Sequence, residues 1–144
     1  MNVLVVNGPN LDLLGEREPE VYGRLTLAEL EQRIRARANE LDMVVRFYQS
    51  NHEGRLIDHL HRMRRWADAI LINPAAFTHY SYAIRDALAA IAKPAIEVHL
   101  SDISKREPFR ATSVIADVCV AQIGGLGVDS YLQALERLAQ NTAG

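Results

Sequence analysis

The sequence predicts an α/β fold in which helices cover both faces of one parallel sheet of five strands. Five short apolar runs alternate with segments of helical periodicity along the 144 residues. From the second run onward the runs begin roughly every 25 residues, about the length of one strand and one crossover helix. A chain of this length has the size of one domain, so we expect residues 1–144 to form a single domain.

The five apolar runs are the predicted strands. The first and third consist only of apolar residues, which is typical of strands buried on both faces of a parallel sheet. Turn-forming residues end the first and third runs, with Asn7-Gly8-Pro9 after the first and Asn73-Pro74 after the third. The predicted strands cover residues 3–6, 43–48, 69–72, 95–100 and 118–123.

The segments between these runs carry apolar residues at helical spacing. Thr26 and Glu29 form a predicted capping box before the first helix, and Ser50 and Glu53 form a second one before the next. Because crossovers between parallel strands are right-handed, the expected order is 2-1-3-4-5, as in flavodoxin-like doubly wound sheets. The inward positions are Leu27, Leu30, Ile34, Ala38 and Leu41, then Leu56, Ile57, Leu60 and Met63, then Ala83, Ile84, Ala87, Leu88 and Ile91, and finally Leu132, Leu135 and Leu138.

Composition and charge exclude several classes of partner. Sixteen Lys and Arg residues against eighteen Asp and Glu leave a formal charge of −2, so nothing predicts binding to nucleic acid. No apolar run is long enough to span a bilayer or to form a signal sequence, which predicts a cytoplasmic protein without membrane contact. The one cysteine, Cys119, cannot form an internal disulfide, and its place in the fifth run predicts an unreactive core thiol.

Two long connections interrupt the alternation of strands and helices. Residues 12–25 and 101–113 are rich in Arg, Glu and Pro, and connections of this length in a compact α/β domain are usually functional. They follow the first and fourth strands, so both lie at the edge where the carboxyl ends of the strands meet. They bring Arg17, Tyr22, Arg106 and Arg110 to that edge.

Polar residues end the first, third and fourth strands, which are neighbours in the predicted order. Taken singly, a strand-end Asn is usually a turn former and a lone His is usually structural. Their joint placement predicts a ligand site, because open parallel sheets bind ligands beyond the carboxyl ends of their strands. Glu97 lies inside an apolar strand and needs a partner, and alternation places it on the same face as His99. The converging residues are Asn10, Asn73, His79, His99 and Ser101.

The motifs that the sequence lacks narrow the chemistry. It contains neither GxxxxGK(S/T) nor GxSxG, and its Gly124-Gly125-Leu126-Gly127 segment does not have the spacing of a dinucleotide fingerprint. His59 and His61 are two residues apart on a predicted helix and point to different faces, which is poor geometry for a metal. We therefore expect neither a metal nor a cofactor.

Acid–base chemistry with Tyr, His and Arg remains. Tyr22 can act as a base if Arg17, five residues earlier, lowers its pKa from about 10. His99, oriented by Glu97, can supply the complementary proton. Arg110 suits an anionic substrate. The residues alone therefore predict a lyase or isomerase that acts on a small carboxylic acid.

At these same residues the sequence resembles the type II 3-dehydroquinate dehydratases. The resemblance implies a flavodoxin-like fold, one catalytic domain over residues 1–144, and trans elimination of water from 3-dehydroquinate through an enolate, without metal or cofactor. The matching segments are NGPNLDLLGEREPEVYG at 7–23, QSNHEGRLIDHLH at 49–61, INPAAFTHYSYAIRDAL at 72–88, EVHLSDISKREPFRATS at 97–113 and GGLGVDSY at 124–131.

The resemblance also implies a role for each site residue. Tyr22 would remove the C2 proton, and Arg17 would lower the pKa of Tyr22. His99 would protonate the departing hydroxyl with Glu97 behind it, and Asn10 would hold a water that stabilises the enolate oxygen. The substrate would be bound by Asn73, His79, the backbone of Leu100 and Ser101, and Arg110, with Arg106 in support.

The family's usual assembly is a dodecamer built from trimers, which implies a homo-oligomer here. Asp86 would then approach the site of a neighbouring subunit, although its spacing alone is that of an exposed helix acid. The connection that carries Arg17 and Tyr22 would act as a lid. The alternative from another class is a non-catalytic flavodoxin-like module that binds a small anion or a flavin.

Overall fold

The computed structural model describes residues 1–143, with all side chains except those of residues 21, 22, 142 and 143. Within this part of the chain, five parallel strands form one sheet in the order β2-β1-β3-β4-β5, which confirms the predicted order. The strands are β1 (Asn2–Asn7), β2 (Val44–Gln49), β3 (Ala69–Asn73), β4 (Ala95–Val98) and β5 (Ala121–Ile123).

Long helices connect the strands, and shorter ones lie within the irregular connections. The helices are α1 (Pro19–Tyr22), α2 (Leu27–Glu40), α3 (Glu53–Met63), α4 (Tyr82–Ile91) and α5 (Val128–Ala143). Short 3-10 helices cover Leu11–Leu13, Ala75–His79, Ile103–Lys105, Pro108–Arg110 and Ala116–Val118. None of the helices in the described residues has both the length and the apolar character needed to cross a bilayer.

Each face of the sheet has its own apolar core, because successive strand residues point to opposite faces. On one face, Val3, Val5 and Leu71 pack with α2 and α5 through Leu30 and Leu135. The sheet is therefore buried on both faces, and the carboxyl ends of its strands are held in place from both sides. The core of the other face includes Leu4, Val6, Ile70 and Ile72 of the sheet with Leu56, Leu60, Ile84 and Leu88 of α3 and α4.

The two predicted capping boxes have different outcomes. At the start of α2, Thr26 Oγ1 accepts a hydrogen bond from the N–H of Glu29 at 3.2 Å, which confirms Thr26 as the capping residue of the first box, and its hydroxyl donates to the Glu29 carboxylate at 3.0 Å. The second box is wrong. Ser50 Oγ accepts from the N–H two residues later at 3.0 Å, whereas the Glu53 carboxylate accepts from the hydroxyl of Ser81 at 2.5 Å. Glu53 of α3 therefore bonds to Ser81, the residue before α4, and not to its predicted local partner Ser50.

The fourth and fifth strands are shorter than predicted. β4 ends at Val98, so His99 lies just beyond the strand. β5 begins only at Ala121, because the 3-10 helix Ala116–Val118 occupies the start of the predicted run. Cys119 is therefore half-buried in a connection and not in a strand. Burial raises the pKa of its thiol to about 12, which keeps the thiol protonated at neutral pH.

Candidate active site

A cleft opens where β1, β3 and β4 end, between the two long connections. Its volume is about 100 Å³, which suits a compact small molecule. Among the described residues, no group of three or more His, Cys, Asp or Glu side chains is placed to bind a metal ion. The polar residues that line the cleft are Asn10, Arg17, Asn73, His79, His99, Ser101, Arg106 and Arg110, and the backbone of Leu100 joins them.

Two residues predicted for the site are not placed in the cleft. Tyr22 is the last residue of α1, and its side chain lies outside the described residues. Asp86 is exposed on α4 and does not line the cleft of its own chain. A role for Asp86 in substrate binding depends on a neighbouring subunit and stays a prediction.

Gly8 determines how β1 and β3 meet at the bottom of the cleft. Its N–H donates to the carbonyl of Asn73 at 2.8 Å, and a Cβ at this position would lie 2.5 Å from the carbonyl oxygen of Pro74. Any side chain would push the two strand ends apart. The chain then turns at Asn10, whose φ of 69° is left-handed and which lines the cleft.

His99, which lines the cleft, forms a buried pair with Glu97 behind it. Nε2 of His99 lies 2.5 Å from Oε2 of Glu97, as strand alternation predicts. The carboxylate also accepts from the hydroxyl of Ser113 at 2.7 Å and from the hydroxyl of Thr78. Burial disfavours the charged form, but these hydrogen bonds outweigh it and hold the pKa of Glu97 below its ordinary value. Glu97 is therefore ionised at neutral pH.

The ionised Glu97 determines where His99 carries its hydrogen. A carboxylate only accepts hydrogen bonds, so Nε2 of the imidazole must be the donor. This leaves Nδ1 as the ring atom that can give a proton to a ligand or take one from it. The ring lines the cleft while only 5% exposed. The pair has the arrangement of a general acid held by a carboxylate.

Sequence reasoning does not identify Thr78 and Ser113 as partners of Glu97. A carboxylate has about four acceptor sites, so a buried one needs more donors than a single imidazole. This need for further donors could have pointed to Thr78, a hydroxyl residue that follows the end of the neighbouring strand β3. Ser113 lies 16 residues after Glu97, and nothing in the local pattern predicts that the second long connection returns to the sheet there.

His79 is held at the side of the cleft by its backbone neighbours. Its Nδ1 donates to the carbonyl of Thr112 at 2.8 Å, because a carbonyl can only accept. Burial lowers the pKa of His79, with the charge of Arg110 acting in the same direction and the hydrogen bond to Thr112 opposing both. The ring is therefore neutral near pH 7, and its Nε2 can accept a hydrogen bond from a ligand hydroxyl.

Arginines approach the cleft from both long connections. Arg17 pairs with Glu18 at 3.1 Å, and the same carboxylate oxygen lies 4.0 Å from Arg106. Arg110 donates through Nε to Glu107 at 2.6 Å. None of the described residues that line the cleft is acidic. The three guanidinium groups therefore favour an anionic ligand.

The glycine segment after β5 holds the backbone at the edge of the cleft. The carbonyl of Leu100 accepts from the N–H of Gly127 at 3.0 Å, and the carbonyl of Ser101 accepts from the N–H of Gly125 at 3.1 Å. Gly125 has a φ of +84°, and a Cβ there would lie 3.2 Å from the Cβ of Asp102. The segment Gly124-Gly125-Leu126-Gly127 thus fixes the backbone at residues 100 and 101.

Comparisons with known proteins agree with this architecture. Residues 1–139 match the family model described as dehydroquinase class II. A 3-dehydroquinate dehydratase of Dictyoglomus turgidum is 56% identical over 138 residues, which cover 96% of this chain and 95% of that protein.

Two crystal structures of type II dehydroquinases have the same fold. The structure from Butyrivibrio crossotus has a TM-score of 0.94 at 46% identity and covers 96% of this chain and 97% of that chain. The structure from Propionibacterium acnes has a TM-score of 0.92 at 42% identity, with 96% of each chain covered. The matched residues include all five strands and both long connections, and the chain belongs to the class II dehydroquinase family.

Proposed function

We propose that this chain is a 3-dehydroquinate dehydratase, a hydro-lyase that removes water from 3-dehydroquinate to give 3-dehydroshikimate. The family and the relatives named 3-dehydroquinate dehydratase support this reaction. The observation in this chain that carries the proposal is the buried pair of Glu97 and His99 in a cleft approached by three arginines. In the proposal, residues 1–144 act as one catalytic domain.

The first chemical step is removal of the proton from C2 of the substrate. Tyr22 takes this proton as a phenolate, and the electron pair of the C–H bond moves into an enolate with the neighbouring carbonyl. Arg17 lies five residues earlier in the same connection. A guanidinium placed about 4 Å from a phenolate would favour it by about 4 kcal/mol at an effective dielectric constant of about 20. Asn10 lines the cleft, where it can hold a water against the enolate oxygen.

The second step expels the hydroxyl group. The enolate electrons form a carbon–carbon double bond, the C–O bond of the leaving hydroxyl breaks, and the hydroxyl takes a proton from Nδ1 of His99 to leave as water. Because Nε2 stays bonded to Glu97, the ring is held both before and after the proton has moved. Such general acid catalysis typically contributes about 10²- to 10⁴-fold to the rate. The proton on Tyr22 returns to His99 through solvent, and the site is ready again.

The remaining residues of the cleft bind the substrate. The substrate carboxylate fits Arg110 and the N–H groups at Leu100 and Ser101, because a guanidinium and oriented backbone donors bind anions strongly. Asn73 and His79 take the hydroxyl groups. Arg106 supports this arrangement through its position beside Glu18.

The proposal includes a homo-oligomer, a dodecamer built from trimers. In it, Asp86 of one subunit contributes to substrate binding in the cleft of the next. The exposure of Asp86 on α4 supports this, since the side chain is available to another subunit. Full substrate affinity in a verified monomer would contradict the shared site.

Ultraviolet absorbance after mixing the protein with 3-dehydroquinate tests the proposed reaction, because dehydration creates a conjugated enone. We expect a rise in absorbance that is proportional to enzyme concentration. Absence of a rise would reject the proposed function and favour the alternative, a flavodoxin-like module that binds a small anion without catalysis.

The role of Tyr22 is tested with Tyr22→Phe and a matched control, Tyr80→Phe. We expect Tyr22→Phe to lower kcat by about 100-fold or more and to change KM much less, because a base acts in the transition state. Tyr80 is 59% exposed and does not line the cleft, so its variant should keep wild-type kinetics. An unchanged kcat in Tyr22→Phe would reject Tyr22 as the base.

A further inference from the structure

A buried hydrogen-bond network connects α5 to the bottom of the cleft. Tyr131 on α5 is 0% exposed. Its hydroxyl donates to Oδ1 of Asn7 at 2.7 Å and accepts from Nδ2 of Asn73 at 2.9 Å. Asn7 and Asn73 are the last residues of β1 and β3 and are paired in register. One phenol group therefore joins two strand ends directly beneath the cleft.

The network determines which side of the Asn73 amide faces the cleft. Oδ1 of Asn73 accepts from the N–H of Ala75 at 3.0 Å, and one hydrogen of Nδ2 is donated to Tyr131. A flipped amide would place its NH₂ group against the N–H of Ala75. It would also leave the Tyr131 oxygen without its donor. The second hydrogen of Nδ2 is therefore the donor that Asn73, a cleft-lining residue, can offer to a ligand.

The Tyr131 hydroxyl keeps its proton near neutral pH, so these hydrogen bonds keep their direction. Burial raises the pKa of Tyr131, and the hydrogen bond from Asn73 opposes this only in part. The phenol keeps its proton and donates it to Asn7. Its oxygen is then available only as an acceptor toward Asn73.

Stability alone does not account for the network. Nδ2 of Asn7 is buried and has no hydrogen-bond partner among the described residues. An unpaired buried amide opposes folding, and apolar side chains of similar size would fill the same space without that penalty. A network that carries such a penalty is better explained by the orientation it gives to Asn73.

We propose that Tyr131 is a positioning residue, which holds Asn73 so that its amide presents an N–H donor to an oxygen acceptor of the substrate. Tyr131 does not line the cleft, so it acts through Asn73. The inference rests on the proposed function, in which Asn73 binds a substrate hydroxyl group. It adds that the oxygen of this hydroxyl is the acceptor in the contact with Asn73.

Steady-state kinetics of Tyr131→Phe test the proposal. The variant keeps the ring and loses the hydroxyl. We expect KM for 3-dehydroquinate to rise about 10-fold, which is the usual effect of one lost hydrogen bond. We expect kcat to change less than about 3-fold, because the contact with Asn73 is made equally in the ground and transition states.

Tyr80→Phe is the matched control. It makes the same change at a tyrosine that is 59% exposed, does not line the cleft and has no part in the network of Asn7 and Asn73. We expect a wild-type KM. An unchanged KM in Tyr131→Phe, or an equal rise in Tyr80→Phe, would overturn the proposal.

A double-mutant cycle separates positioning from a general structural role. If Tyr131 acts through Asn73, Tyr131→Phe should not raise KM further in an Asn73→Ala background. Additive effects on KM would overturn the proposal, because Tyr131 would then influence binding by another route.

Hydrogen exchange of the wild-type protein tests the same point without any variant, and so covers the case in which Tyr131→Phe does not fold. One Nδ2 proton of Asn73 should exchange slowly with solvent, and the resonance of the other should shift when 3-dehydroshikimate is added. Equal exchange of the two protons would overturn the proposal. Turnover of the wild-type protein is measured first. If there is none, the proposed function and the positioning role of Tyr131 are both rejected. If turnover is normal and Tyr131→Phe leaves KM unchanged, only the positioning role is rejected.

Discussion

The two sides of the cleft are held by different kinds of interaction. The floor consists of Asn73 and His99, taken together with Glu97, which is bonded behind His99. The rim consists of Arg17, Arg106 and Arg110. Every floor side chain is bonded to groups inside the protein and is at most 5% exposed. On the rim, Arg17 and Arg110 pair with carboxylates that are themselves 47% and 55% exposed.

This difference separates the part of the site that is preorganised from the part that can exchange partners. Buried hydrogen bonds have no competing water, so the floor keeps the imidazole of His99 and the amide of Asn73 in place before a ligand arrives. Exposed ion pairs are weak because solvent competes for both charges. A substrate carboxylate can therefore replace the rim's own acids. We expect substitutions that disturb the floor to change stability and kcat, and substitutions on the rim to change mainly KM.

Gly8→Ala should have the largest effect, because it disturbs the backbone on which the floor is built. The added Cβ would lie 2.5 Å from the backbone carbonyl oxygen of Pro74. Overpacking of this kind costs about 3 kcal/mol, measured as the free energy of unfolding in urea. The control is Gly54→Ala in α3, where a Cβ meets nothing within 4 Å and stability should rise by at most about 1 kcal/mol. Equal stability of the two variants would mean that β1 and β3 can separate at no cost.

Glu97→Gln should weaken the floor's chemistry without opening its structure. The NH₂ group of the new amide would face an N–H or O–H donor at a position where the carboxylate accepts a hydrogen bond. His99 would also lose the charged acceptor that holds its ring. We expect kcat to fall about 100-fold and KM to change little, as measured by steady-state kinetics. Glu53→Gln is the control, since that carboxylate accepts from Ser81 away from the cleft, and it should keep the wild-type kcat. A wild-type kcat in Glu97→Gln would show that His99 does not need the carboxylate.

The pH dependence of stability provides a separate measure of the same buried charge. The pKa of Glu97 is below its ordinary value of 4.5, so the unfolded state binds its proton first as the pH falls. The stabilisation is complete above the unfolded pKa and is lost as the pH falls through the folded one. The difference in unfolding free energy between wild type and Glu97→Gln should therefore narrow between pH 6 and pH 3, by at most about 1.4 kcal/mol per pH unit. A difference that does not change with pH would mean that Glu97 is not ionised in the native protein.

The sheet and the composition of the floor could be predicted because they depend on regular features of the chain. The alternation of strands and helices, with right-handed crossovers, places β1, β3 and β4 side by side. Asn73 and His99 must then share one edge. The pairing of Glu97 with His99 follows from the two-residue period of a strand.

The remaining contacts of the floor depend on how irregular or distant segments return to the sheet. Ser113 comes back from a long connection to reach Glu97, and Tyr131 reaches Asn7 across 124 residues of sequence. Neither contact has a local periodicity. The predicted capping box of Ser50 and Glu53 is wrong for a related reason, since a partner from another helix competes for the carboxylate.

Glu18→Gln should have the smallest effect, confined to the rim. Glu18 lies between two cleft arginines. Its carboxylate oxygen Oε2 is 3.1 Å from Arg17 and 4.0 Å from Arg106. Its carboxylate competes with the substrate's for these cations, so the variant should lower KM by at most about 5-fold with little change in kcat. The difference should shrink as salt is added, because exposed charges are screened.

Glu16→Gln is the matched control for the rim, because it removes an exposed acid of the same connection that does not contact the cleft arginines within 4 Å. It changes the net charge by the same amount, so any general electrostatic attraction of an anionic substrate appears in both variants. Only the part of the KM change that is specific to Glu18→Gln reports competition at the rim. A rise in KM in Glu18→Gln would mean the opposite role for this carboxylate: it would hold the arginines in place for the substrate, and the rim would be preorganised like the floor.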